Sequence, residues 1–81
     1  MHVKREPLAT REGWAELRPL IARRRELGIR ATDMAAALDL SGGALDRWEV
    51  GVTRLTPERI ARYAAALDHL AALVGDRHDA A

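Results

Sequence analysis

The chain has no cysteine and no phenylalanine, a single lysine, and only 4% aromatic residues among its 81. Each shortage excludes something. Without Cys there is no disulfide scaffold, no thiol nucleophile and no thiolate-ligated zinc site. Sparse aromatic and β-branched residues leave a sheet little to build on. No apolar run approaches the roughly 20 residues needed to cross a bilayer. Met1–Pro7 lacks the apolar stretch of a secretion signal, so a cytoplasmic location is expected. A formal net charge of +1 denies the chain the overall basic excess that marks many nucleic-acid binders. A chain of this length is one small domain with little room for a deep substrate cleft.

What is present favours helix. Ala and Leu dominate, and both are strong helix formers. Residues 1–9, with Lys4, Arg5, Glu6 and Pro7, read as a flexible arm, and Thr10 is placed to cap a turn through Gly13. Trp14, Leu17, Leu20, Ile21, Arg24 and Leu27 then hold one helical face. Pro19 leaves two readings, a main helix starting near Arg18 or a longer, kinked one. Gly28 ends that helix in the position that suits a left-handed residue.

A second helix is expected over Ala31 to Leu38, with Met34, Ala35 and Leu38 inward. Asp39 takes the turn and Leu40 packs in. Ser41 caps a third helix from Gly42 to about Glu49, with Ala44, Leu45 and Trp48 inward, and Gly51 stops it. Val52 and Leu55 anchor the loop that follows. Thr56-Pro57-Glu58 is a strong helix start. Ile60, Tyr63, Ala64, Leu67, Leu70, Ala71 and Val74 keep helical phase, as one long helix or two barely broken at Asp68. Residues 76–81 read as a frayed tail. The fold class is all-α: a compact bundle of four to five helices, with the domain proper over residues 10–75.

Two short helices joined by a tight turn, closely packed at Ala35, follow the packing logic of a helix-turn-helix. Gly28-Ile29, Met34-Ala35, Leu40-Ser41 and Arg47-Trp48-Glu49-Val50-Gly51 resemble the entry, inner pair, turn and exit of the Cro/cI-type (XRE) helix-turn-helix family. The resemblance covers about Leu17 to Leu67 and implies a lambda-repressor-like fold. It implies that residues 42–49 form the recognition helix in the major groove of double-stranded DNA. Gly42, Gly43, Asp46 and Arg47 would stand at the base-contacting positions. Arg30, Ser41, Arg54 and Arg59 would contact phosphates. A homodimer is expected, its interface on Leu70, Leu73 and Val74. The function implied is a transcriptional repressor, of the kind found in phages, mobile elements or toxin-antitoxin operons.

The departures from the family pattern are specific. Ala31 stands where a phosphate-holding Gln is usual, and Asp39 where Gly is common. Gly42 and Gly43 bring no side chain to positions that read bases, and Asp46 brings a negative charge. Only Arg47 suits bidentate bonding to guanine. The glycine pair reads either as a loosened helix start or as room for close backbone approach to DNA.

Residues 28–49 hold two basic and four acidic residues, a net −2, while residues 16–27 and 50–67 each sum to +2. The near-zero total is therefore a sum of opposed segments. The acidic motif supports an alternative function, a protein-interaction module on the same scaffold with a protein partner and weak or no DNA binding. Arg23-Arg24-Arg25 reads as a solvated helix face rather than a DNA clamp. Trp48 and Tyr63 read as core, and Trp14 as core or partner surface. His2, His69 and His78 do not cluster, so no metal or cofactor is expected. Asp33, Asp39 and Asp46 make no catalytic pair, and an enzyme is not expected.

Overall fold

A computed structural model describes the backbone of residues 5–80 and the side chains of residues 13–75. Four helices follow one another: α1 (Arg5–Glu26), α2 (Ala31–Leu38), α3 (Gly42–Glu49) and α4 (Pro57–Ala80). α1 begins well before the expected start. Its first residues lie inside the segment read as an arm, while residues 1–4 lie outside the described residues. Pro19 sits within α1, on its exposed side. The ring removes one N–H donor from the ladder and crowds the carbonyl one turn back, on the side of α1 that faces away from the core. The backbone of Thr10 accordingly lies inside α1, and its side chain, read as a turn cap, lies outside the described residues. At the other end α4 runs unbroken past Asp68 and through residues 76–80, the segment read as frayed.

The three inner helix exits share one design. Ile29 N–H reaches Arg24 O and Gly28 N–H reaches Arg25 O; Leu40 and Asp39 repeat the pattern on Ala35 and Ala36. Val52 and Gly51 repeat it on Arg47 and Trp48. Each is the paired closure in which a left-handed residue turns the chain out of a helix. Gly28 (φ 74°) and Gly51 (φ 86°) fill that place, as does Asp39 at φ 60° and ψ 42°. Asp is one of the few side-chain-bearing residues that tolerates it. The residue after the turn normally packs inward. Ile29 is buried and Leu40 half-buried, but Val52 is 69% exposed, so the loop after α3 is anchored by Leu55 alone.

The core draws one to three side chains from each helix and from the loop after α3. Leu17 and Ile21 come from α1, Met34, Ala35 and Leu38 from α2, and Leu45 and Trp48 from α3. Leu55 comes from the following loop, and Tyr63, Ala66 and Leu67 from α4. α1 and α2 each pack on both α3 and α4, so α3 is held from two sides.

Candidate nucleic-acid interface

α3 is two-faced at one-turn spacing. Leu45 and Trp48 are buried, while Gly42, Gly43, Asp46 and Arg47 are exposed. Ser41 starts the helix as expected, its Oγ accepting from Ala44 N–H at 3.1 Å. Arg47 makes no side-chain hydrogen bond or ion pair among the described residues.

The far end of α3 is fixed by a buried ionic cluster. Glu49 accepts a two-pronged contact from Arg24, with Nε at 3.1 Å and Nη2 at 3.0 Å. Tyr63 donates its hydroxyl to the same carboxylate at 2.6 Å, and Arg24 Nη1 donates to Ile29 O at 2.8 Å. The Arg24 and Glu49 side chains are only 8% and 10% exposed. One cluster thus joins α1, α3, α4 and the loop before α2. Burial works against the Arg24 charge, but hydrogen bonds to Glu49 and Tyr63 and the Glu49 charge outweigh it, leaving its pKa raised.

The Arg23-Arg24-Arg25 reading therefore needs correcting. Arg23 and Arg25 are exposed, but Arg24 is buried, because it falls in phase with Leu17 and Ile21 on the inward face of α1. The charge balance changes too. Glu49 is neutralised from α1, so the surface of residues 28–49 shows Arg30 and Arg47 against Asp33, Asp39 and Asp46. The exposed acidity is one charge smaller than the sequence count.

Burial first, then the Glu49 hydrogen bond, raise the Tyr63 phenol well above its usual value near 10. The unfolded chain releases this proton first. Stability should therefore be unaffected by Tyr63 below about pH 10 and fall as pH rises above it. Tyr63 is the single tyrosine of the chain. Tyrosinate absorbance should thus appear together with loss of helical circular dichroism, not before it. Ionisation at an ordinary pH in a folded protein would contradict the cluster.

Trp14 settles as a bracket between α1 and α3. Its Nε1 donates to Glu49 O at 2.9 Å, its ring lies against Gly51, and Arg18 stacks over it at 4.9 Å. Beside it, Gly13 meets Leu55 so closely that a Cβ there would stand 2.6 Å from Leu55 O. Neither contact was visible in the sequence, since both join residues about 40 apart.

The start of α4 carries the other basic groups. Thr56 Oγ1 caps it, accepting from Arg59 N–H at 3.2 Å. Arg54, Thr56, Glu58, Arg59 and Arg62 line a shallow basin of about 470 Å³. Arg54 is exposed. Arg59 is partly committed, donating to Arg54 O at 2.6 Å with its guanidinium 5.9 Å from the Trp48 ring. Arg30 is exposed but pairs with Asp33 at 3.4 Å. Arg62, not singled out in the sequence, donates to Leu38 O at 3.0 Å and ties α4 to the end of α2. Further along α4, Leu70 and Val74 pack partly on the core and Leu73 is 44% exposed. These three line a groove between α2 and α4 floored by Ala36, Ala37 and Ala65.

Among the described residues no helix is long and apolar enough to cross a membrane. Nor does any group of three or more His, Asp or Glu side chains there suit a metal ion. His69 is exposed; His2 and the His78 side chain lie outside the described residues. No curated protein and no solved structure matches the chain. A helix-turn-helix family model matches residues 20–72, which contain α2, α3, the exit loop and most of α4. The chain therefore belongs to the Cro/cI-type helix-turn-helix family of DNA-binding regulators.

Proposed function

We propose that the chain is a sequence-specific transcriptional repressor that binds operator DNA as a homodimer in the cytoplasm. α3 enters the major groove. Arg47 reads guanine, Asp46 accepts from a neighbouring cytosine amine, and the bare first turn at Gly42 and Gly43 lies close to the duplex. Ser41, Arg30, Arg54 and Arg59 contact phosphates and set the register. The interface between copies runs over Leu70, Leu73 and Val74. Phage, mobile-element or toxin-antitoxin operons are the regulated class that the family resemblance favours.

The observation that supports this reading is the division of α3. One face is locked into the core through Leu45, Trp48 and Glu49, while the other leaves Arg47 exposed and without a side-chain partner among the described residues. The alternative, a protein-interaction module, rests on the acidity of residues 28–49, and the burial of Glu49 removes part of that ground.

Selection from a random duplex pool tests the proposal. Two half-sites should emerge with centres about one helical turn apart, or a multiple of it. Arg47→Ala should cost about 1–3 kcal/mol at one base pair and relax preference there alone. Arg54→Ala should weaken all sequences alike and reduce the salt slope by about 1. No retardation of any duplex at low salt would favour the interaction module instead.

A further inference from the structure

Four of the six glycines concern the interface, and two of those four have no folding reason to be glycine. Gly13 is required by Leu55, and Gly51 by its positive φ and the Trp14 ring. Gly42 and Gly43 have no positive φ, and a Cβ on Gly42 would meet nothing within 4 Å. An alanine would fit at either and would favour the helix. Of the two, Gly43 has a neighbour: Arg47 Nη1 lies 3.7 Å from where its Cβ would stand. Helical side chains lean toward the N-terminus, onto the residue one turn earlier. The Arg47 guanidinium thus lies along the first turn of α3, over the place that a side chain at 43 would fill.

We infer that Gly43 is a specificity-determining position that acts through Arg47. Its missing side chain leaves the surface of the first turn to the guanidinium, which sets where along the groove that group presents its paired donors. The inference rests on the DNA-binding reading above. A Cβ alone at 3.7 Å is ordinary contact, so alanine leaves the guanidinium in place. A longer side chain occupies the same space and turns it away. The recognition surface then consists of one movable guanidinium on bare backbone, flanked by Asp46. Base preference is concentrated at the position Arg47 reads, with Asp46 favouring the neighbouring cytosine and the glycine turn adding none.

The test is a double-mutant cycle on the full chain. Binding is measured to the best duplex from the pool and to the same duplex with the preferred guanine replaced. The wild type should discriminate at least about tenfold. Gly43→Leu should lose this discrimination as Arg47→Ala does, with an unfolding midpoint no lower than wild type. Gly43→Ala should keep the ratio between the two duplexes, even where the added methyl weakens both. Adding Gly43→Leu to Arg47→Ala should change discrimination no further. If Gly43→Leu keeps the preference, or weakens both duplexes equally in both backgrounds, leucine merely collides with DNA. Positioning is then overturned while DNA binding stands. A wild type that enriches no sequence overturns the underlying reading and this inference with it. Gly43→Gln runs the same cycle should leucine unfold the domain.

Discussion

Glu49→Ala should destabilise the domain by about 3–5 kcal/mol, because it leaves Arg24 charged, buried and unpaired. Domains of this size have roughly 5–15 kcal/mol in total, and each kcal/mol moves the unfolding midpoint by about 4–8 °C. A fall of some tens of degrees is therefore expected. The carboxylate has three hydrogen bonds to lose, two from Arg24 and one from Tyr63. Solvent cannot easily replace them at such low exposure. Replacing both partners together, as Arg24→Met with Glu49→Leu, should recover much of the loss, since no uncompensated charge remains. Urea unfolding followed by circular dichroism measures both. A Glu49→Ala loss under about 1 kcal/mol would mean that the pair behaves like an exposed one.

Gly13→Val should destabilise by about 1–3 kcal/mol or more, although helix propensity alone argues for the opposite sign. A Cβ at position 13 stands 2.6 Å from the Leu55 carbonyl and 2.9 Å from its Cβ. The first obstacle is backbone, so α1 and the loop after α3 must separate. Leu55 is the inward anchor between Arg54 and the Thr56 cap, so the shift moves the basic start of α4. Affinity should fall for all duplexes, with base preference kept. Gly75→Ala is the control: it lies in α4 with nothing near its Cβ position and should stabilise slightly. Equal effects at both positions would show that the Gly13 contact is unimportant.

The residues that could be read from sequence are those with local chemistry. Ser41, Thr56-Pro57, Gly28 and Gly51 mark where backbone donors and acceptors run out, and the limits of α2 and α3 fall where those residues put them. The helix-turn-helix itself was legible for the same reason, its spacing being set by two short helices and one turn. What escaped depends on distant partners. Three consecutive arginines look solvated until one knows that Glu49 waits opposite Arg24. The clue was periodic, since Arg24 sits in phase with Leu17 and Ile21. Pro19 suggests a break near Arg18, yet α1 continues through it, the lost donor and ring clash, about 3 kcal/mol in a helix interior, being offset by the packing of Leu17 and Ile21 on either side. Gly13 read as a turn residue because nothing local distinguishes a glycine needed for φ from one needed for space. Val52 was read as an anchor from its type, but it lies exposed where Leu55 packs.

α3 is eight residues long and starts with two glycines. Isolated helices shorter than about 12–15 residues are marginal in water even with good formers, so this segment has no helical state of its own. α3 exists only while the rest of the domain is folded around it. Its hydrogen-bonded amides, from Leu45 onward, should exchange with solvent only through global opening, and a peptide of residues 41–51 should be unstructured. DNA binding and folding are then one linked equilibrium, and bound DNA raises the unfolding midpoint by mass action. Substitutions that never approach the duplex will shift DNA occupancy wherever they shift the folded population.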